Sequence, residues 1–254
     1  MQIVGYESAP SGDDEHAALV LAADGAVRRQ SLAPGTTIEF SLHDRHCAGV
    51  VEEEGHVSCD ADRAPYCDLH VSRWPCARCT GDCDLPIDAC HEEHAIYLAA
   101  FAPDAFKVGV TRSWRLDTRL REQGADRAAH LRTVANGRVA REIEAEIAVD
   151  VGDRVRVPTK IAGLDETVDE SAWASLCADF AVIETADLDY GFTLPERPVA
   201  ETMAAGTVVG TKGRILVLER AGSNYAVDMR DLVGYDVVEG RAERDLQASL
   251  GAFD

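Results

Sequence analysis

The sequence predicts an α+β protein, with strands gathered towards both ends of the chain and helices in its middle. Three observations predict it. Short apolar runs alternate with turn residues over positions 1–46 and again over 195–254. A cysteine-dense stretch poor in large aliphatic residues follows the first of these. Apolar residues at helical spacing appear between 114 and 184. With 254 residues and 46% apolar content the chain can bury a core, which excludes general disorder.

The elements follow in order. Residues 1–46 read as an N-terminal β-rich segment: the run 18–21 precedes Asp24-Gly25, and 37–42 alternates with period two. Residues 47–93 form a cysteine module and 94–194 a central α/β domain. That domain opens on apolar runs at 95–101 and 106–111 around a Pro103-Asp104 turn, which predicts a hairpin. Trp114, Leu116 and Leu120 predict a helix stopping at Gly124, and Val139, Ile143 and Ile147 predict a second over 138–149. The stretch 163–184 reads as another helix, with Cys177 as a core thiol. Beyond Pro195 and Pro198, residues 207–209, 214–218 and 225–227 read as short strands of a C-terminal β-rich segment, 195–254.

Acidic side chains outnumber basic ones 45 to 25, for a net charge of −20, and the only lysines are Lys107, Lys160 and Lys212. An acid-rich, lysine-poor composition fits a halophilic protein, whose surface charges are screened by concentrated salt. No apolar run approaches the ~20 residues of a membrane span, and the first residues lack a signal-peptide pattern. A soluble, cytoplasmic protein with no membrane partner is expected.

Seven of the eight cysteines fall between 47 and 90, with His56 and His70 among them and His46, His91 and His94 flanking. Thiolates beside imidazoles in a reducing compartment favour zinc. Cys76, Cys79 and Cys83 make a C-x2-C-x3-C run closed by Cys90, and Cys67 and His70 make a C-x2-H pair. The simplest partition is two structural zinc sites: Cys47, Cys59, Cys67 and His70, then Cys76, Cys79, Cys83 and Cys90. Interleaved pairing, or His91 or His94 replacing a cysteine, remains open.

Between Lys107 and Arg141 stand nine basic and three acidic side chains, a net +6, so the rest of the chain carries −26. Arginine forks match phosphate oxygens, which points to DNA or RNA as partner, with Arg112, Arg115, Arg121 and Arg127 as candidate contacts. Internal pairing of Arg119 with Glu122, Arg138 with Glu142 and Arg141 with Glu144 is the competing account.

The order Ile96-Tyr97, Lys107-Val108-Gly109, Arg119, Glu144 resembles the GIY-YIG endonuclease superfamily, in particular its phage-type branches with Lys-Ile-Gly as second motif. The resemblance covers about residues 94–150. It implies metal-dependent phosphodiester hydrolysis: Tyr97 as base-like group, Lys107 in the second tyrosine's place, Arg119 on the phosphate, and Glu144 holding Mg²⁺. The sequence departs from the pattern at Ala95 and Lys107. Tyr97 and Lys107 share a sheet face only if paired positions in the hairpin sum to an even number; a four-residue turn at 102–105 gives an odd sum. The whole chain also resembles an uncharacterised archaeal and bacterial zinc-cluster family that brings no known activity. The functions in play are thus a nuclease, a non-catalytic nucleic-acid-binding module and a zinc-stapled protein-interaction scaffold.

Overall fold

The computed structural model describes residues 1–8, 16–53, 55–71 and 88–240. Strands Gln2–Glu7 (β1), Ala18–Ala23 (β2), Ala26–Ser31 (β3) and Thr37–Arg45 (β4) open the chain, followed by a short hairpin of Val50–Glu52 (β5) and Gly55–Val57 (β6). The middle runs His94–Phe101 (β7), Ala105–Arg112 (β8), Leu116–Gln123 (α1), Arg127–Val134 (β9), Gly137–Val151 (α2), Val157–Ala162 (α3), Glu170–Ala178 (α4) and Glu184–Asp187 (β10). The chain then makes Val199–Ala200 (β11), Ala204–Lys212 (β12), Ile215–Arg220 (β13), Ser223–Asp228 (β14), Met229–Leu232 (α5) and Tyr235–Glu239 (β15).

Strands from the two ends of the chain share one sheet. Its order is β11-β14-β13-β12-β4-β15-β1-β2-β3, so β4 lies between β12 and β15, and β15 hydrogen-bonds β1. The sheet curls. Ile3, Leu19 and Leu21 near one end occupy the same core as Leu216, Leu218 and Val227 near the other. Period-two alternation is the cause: in β4, Ile38 and Phe40 point into this core while Thr37 and Glu39 face solvent.

The second sheet, β10-β9-β7-β8, is covered on both faces. Ile96, Leu98, Ala100 and Val108 meet Ala140, Ile143 and Ile147 of α2 and Trp173 of α4. Tyr97, Ala99 and Phe101 meet Leu120 of α1 and Leu188. Burial on both sides is why β7 reads as a continuous apolar run without alternation. The β7–β8 register pairs Tyr97 with Gly109 and Ala99 with Lys107. Those sums are even: three residues, not four, separate the paired Phe101 and Ala105, and Tyr97 and Lys107 therefore share a face.

The helices at 116–123 and 137–151 match the sequence reading, with Gly124 closing α1 in the left-handed region at φ 69° and the Asn136 side chain capping α2 by accepting from the Val139 N–H at 3.0 Å. The expected helix over 163–184 is corrected. At Gly163 a Cβ would lie 1.8 Å from the Ala102 carbonyl oxygen, a backbone approach that ends α3. Asp169 then restarts the helix by accepting from the Ser171 and Ala172 N–H groups, and the chain leaves α4 to pair β10 with the edge of β9. Cys177 sits half-buried at the margin of this core, where desolvation raises its thiol pKa. Among the described residues no helix is long and apolar enough to cross a membrane.

The two sheets meet at a seam. Gly124, ending α1, stacks on the β12–β13 turn so closely that a Cβ on Gly213 would lie 2.6 Å from the Gly124 nitrogen. Beside it Lys212, 8% exposed, binds Asp126 at 2.5 Å, and Asp126 accepts the Ala102 N–H at 2.9 Å through its other oxygen. Removing one partner of a buried pair strands the other charge, at a cost of about 3 kcal/mol. Lys212→Met is therefore expected to lower stability by that order in urea unfolding; a change near zero would show that the pair does not join the sheets.

Candidate functional site

Two sites stand out, far apart in chemistry. The first lies at the end of β4. Cys47 is fully buried there, with His46 N–H donating to the Gly234 carbonyl and the Gln2 side-chain amide donating to the carbonyls of Cys47 and Gly234. After the β5–β6 hairpin the chain returns, and the Cys47 and Ala48 N–H groups donate to the carbonyls of Ala61 and Pro65. These bonds bring Cys59, Cys67 and His70 against Cys47, and all four ligand atoms lie within 4.8 Å of one another.

The spacing fits a tetrahedral ion. His70 Nδ1 is 3.4 Å from Cys47 Sγ and 3.3 Å from Cys67 Sγ, and Cys59 Sγ is 4.0 Å from Cys67 Sγ. Zinc bonds of ~2.3 Å to sulfur and ~2.0–2.1 Å to nitrogen place ligand atoms about 3.5–3.8 Å apart. Desolvation raises the Cys67 thiol, but hydrogen bonding from the Leu69 and His70 backbone and from the Cys47 and Cys59 thiols outweighs this and brings it down to about 7. The Cys67 N–H in turn donates to Cys47 Sγ at 3.2 Å. Three thiols and one imidazole, with no fifth donor grouped with them among the described residues, match a closed, structural zinc set. By its donor chemistry the cluster could hold a metal ion such as zinc, at the ligands the sequence spacing singled out.

Of the other expected zinc ligands, Cys76, Cys79 and Cys83 lie outside the described residues. Cys90 is half-buried beside His94: a Cβ added to Gly137 would stand 3.7 Å from Cys90 Sγ and 3.1 Å from His94 Nε2. His94 Nδ1 bonds the Glu92 carbonyl at 2.7 Å, leaving Nε2 as an acceptor, whereas His91 is exposed.

The second site forms where β7, β8, α1 and α2 converge. Tyr97 has no solvent exposure, and its ring lies over Gly109, where a Cβ would come within 2.7 Å of the phenol oxygen. Gln123 donates to that oxygen at 2.8 Å and Arg119 also hydrogen-bonds it. Burial raises the phenol's pKa, against the pull of Arg119. Lys107 bonds the Asp153 carbonyl at 3.1 Å; burial first, then the Arg119 charge, lowers its amine to about 8, with Glu144 opposing. Glu144 is bound by Arg141 at 2.6 Å. Tyr97 and Lys107 thus both lie in the field of Arg119 and Glu144.

The arginines proposed for nucleic acid are less free. Arg112 lies 3.4 Å from Glu92, Arg115 2.7 Å from Glu122 and Arg121 3.1 Å from Asp117, while Arg127 bridges Glu170 at 2.5 Å and Asp187 at 2.9 Å. The expected pairs Arg119–Glu122 and Arg141–Glu144 form at 3.1 and 2.6 Å. Sequence reasoning missed five cations downstream: Arg154, Arg156, Lys160, Lys212 and Arg214, which share a cavity with Arg119. A signal was present, because the chain's other two lysines, Lys107 and Lys212, both act on Lys160. Lys160 donates to the Gln123 carbonyl at 2.7 Å and stands 4.2 Å from the Phe101 ring centre; burial, then Lys107 and Arg214, lower it from 10.5 to about 7.

A family model described as a protein of unknown function (DUF2797) matches residues 35–237. The chain belongs to that family. The matched region takes in the zinc-type cluster, the Tyr97 site and the downstream cations alike. No match is found among curated proteins or among solved structures.

Two expectations follow. Cys67→Ser should lose one equivalent of zinc and lower the thermal midpoint; retention of full zinc would remove Cys67 from the ligand set. Between about 7 and 10.5 the unfolded chain holds a proton on Lys160 that the folded chain lacks, so stability rises with pH across that window. Lys160→Met should flatten the rise measured by denaturant unfolding, and an unchanged slope would refute the assignment.

Proposed function

We propose that this is a zinc-stabilised protein acting on nucleic acid, whose central unit binds and cuts a phosphodiester. The supporting observation is that the charges of Arg119 and Glu144 act on both Tyr97 and Lys107, four residues drawn from four elements. It favours the GIY-YIG resemblance, since these are the residues that resemblance brings forward.

Their environments redistribute the roles. A sealed phenol with a raised pKa is a poor base, so Tyr97 acts by fixing Arg119. Lys107, at about 8, keeps roughly a tenth of its amine neutral near pH 7 and is the group fitted to accept a proton from attacking water. Arg119, whose side chain is 46% exposed, neutralises the phosphate. Magnesium at Glu144 fits less well: one carboxylate, already held by Arg141, is a thin donor set, and Glu144 better serves to hold Arg141 beside the phosphate. Arg112, Arg115 and Arg121 would lend charge at the rim despite their partners. A second zinc ion on Cys76, Cys79, Cys83 and Cys90 completes the proposal. The seal over Tyr97 favours an alternative in which the site holds DNA or RNA without cutting it.

Plasmid DNA and a structured RNA incubated with the protein, with Mg²⁺ or with EDTA, decide between these. Cleavage is expected, falling about 10²–10⁴-fold in Lys107→Met and lost in Arg119→Ala. Binding without cleavage under either condition would establish the alternative. Elemental analysis should give two zinc ions per chain, and one would break the partition.

A further inference from the structure

Beyond the phosphodiester site lies a cavity of about 630 Å³ between the two sheets, where α1 and the segment leading into α3 face β12, β13 and β1. Six cations line it, Arg119, Arg154, Arg156, Lys160, Lys212 and Arg214, against only two carboxylates, Glu122 and Asp228. Cations crowded around one cavity repel one another unless anions balance them. Internal pairs absorb part of the excess: Lys212 holds Asp126, Arg214 holds Asp228 and Arg119 holds Glu122. Arg154 and Arg156 have no carboxylate partner among the described residues and are exposed at the cavity wall.

Charge alone would suit any phosphate. A further observation narrows the ligand. Val155, Val157, Pro158 and Ile215 give the same cavity an apolar wall, which inorganic phosphate would leave unmatched. A ligand matching both features carries phosphate oxygens for the arginines and an apolar body for the wall.

We propose that the inter-sheet cavity binds a phosphorylated nucleotide unit, its phosphates between Lys160, Arg214, Arg154 and Arg156 and its base or sugar against Val157, Pro158 and Ile215. The unit is either a free nucleotide or the phosphorylated end of a strand; both present the same chemistry. Lys160 supplies a signature. Around it stand Lys107 of β8, Arg119 and Glu122 of α1, Lys212 and Arg214 flanking the β12–β13 turn, Arg156 one turn earlier in its own helix, and Asp228 at the end of β14. Its amine is only partly protonated at neutral pH because burial, and after it the surrounding cations, lower it to about 7, so an arriving phosphate draws a proton onto it.

Calorimetry on the full chain tests this with inorganic pyrophosphate, ADP, and a tetranucleotide carrying either a 5′-phosphate or a 5′-hydroxyl. Pyrophosphate and ADP are expected to bind one per chain, with proton uptake at pH 7.5 revealed by buffers of different ionisation enthalpy. Arg154→Ala/Arg156→Ala, both exposed and unpaired, should weaken ADP about tenfold or more at unchanged thermal midpoint. Lys160→Met should abolish the uptake. Tighter binding of the phosphorylated tetranucleotide than of ADP identifies a strand end, and the reverse a free nucleotide. Failure of all the phosphorylated probes to bind, or wild-type affinity in the double variant, overturns the proposal. The phosphodiester reading fails separately: pyrophosphate binding intact in a protein that cuts nothing sinks only that reading, and cleavage without pyrophosphate binding sinks only this one.

Discussion

The contact on which the arrangement depends is the seam where Lys212 reaches Asp126 and the backbone of Gly124 touches Gly213. Neither glycine tolerates a side chain there, because each adopts a positive φ and faces the other's peptide. That approach lets a helix end in one unit and a hairpin turn in the other share a boundary without a layer of side chains between them. Asp126 binds Lys212 with one oxygen and the Ala102 N–H with the other, so it links the tip of the β7–β8 hairpin to the far sheet. Everything cationic in the cavity is positioned from one side or the other of this join.

The Tyr97 site depends on a different omission. Gly109, opposite Tyr97 in the ladder, leaves room for the phenol ring to lie flat across the edge strand. The hydroxyl is then held by Gln123 and Arg119, so the strand, the helix and the arginine are fixed as a unit. Burial that makes the tyrosine a good fastener makes it a weak acid. The same burial, applied to a lysine, favours the uncharged amine. One environment thus shifts the two groups in opposite functional directions.

Much of this was legible in the sequence, and the reasons differ by element. The zinc-type ligands Cys47, Cys59, Cys67 and His70 could be read because a metal demands particular residue types, whatever the fold around them. Helices α1 and α2 announced themselves through apolar spacing and their ends. The hairpin register could not be read, since one residue more or less between Phe101 and Ala105 leaves the apolar pattern unchanged. The helix expected over 163–184 failed because Gly163 ends α3 on a carbonyl from a distant turn, a constraint with no local trace. Lys160, Lys212 and Arg214 were passed over because they are scattered in sequence and meet only when two sheets close on each other. The scarcity of lysine was the one hint, read only as a matter of environment.

A positive basin enclosed by a strongly negative exterior has a kinetic consequence. An incoming polyanion is repelled at long range by the whole molecule and attracted only within the last few ångströms, where Arg154 and Arg156 reach outward. Added electrolyte shortens the repulsive reach to about 8 Å near 0.15 M and about 3 Å at 1 M, while pairs inside the walls are screened far less. Brine would therefore hasten arrival more than it hurries departure, the reverse of the usual behaviour of a basic surface, and the acidic shell would work as a toll on encounter that concentrated salt lifts.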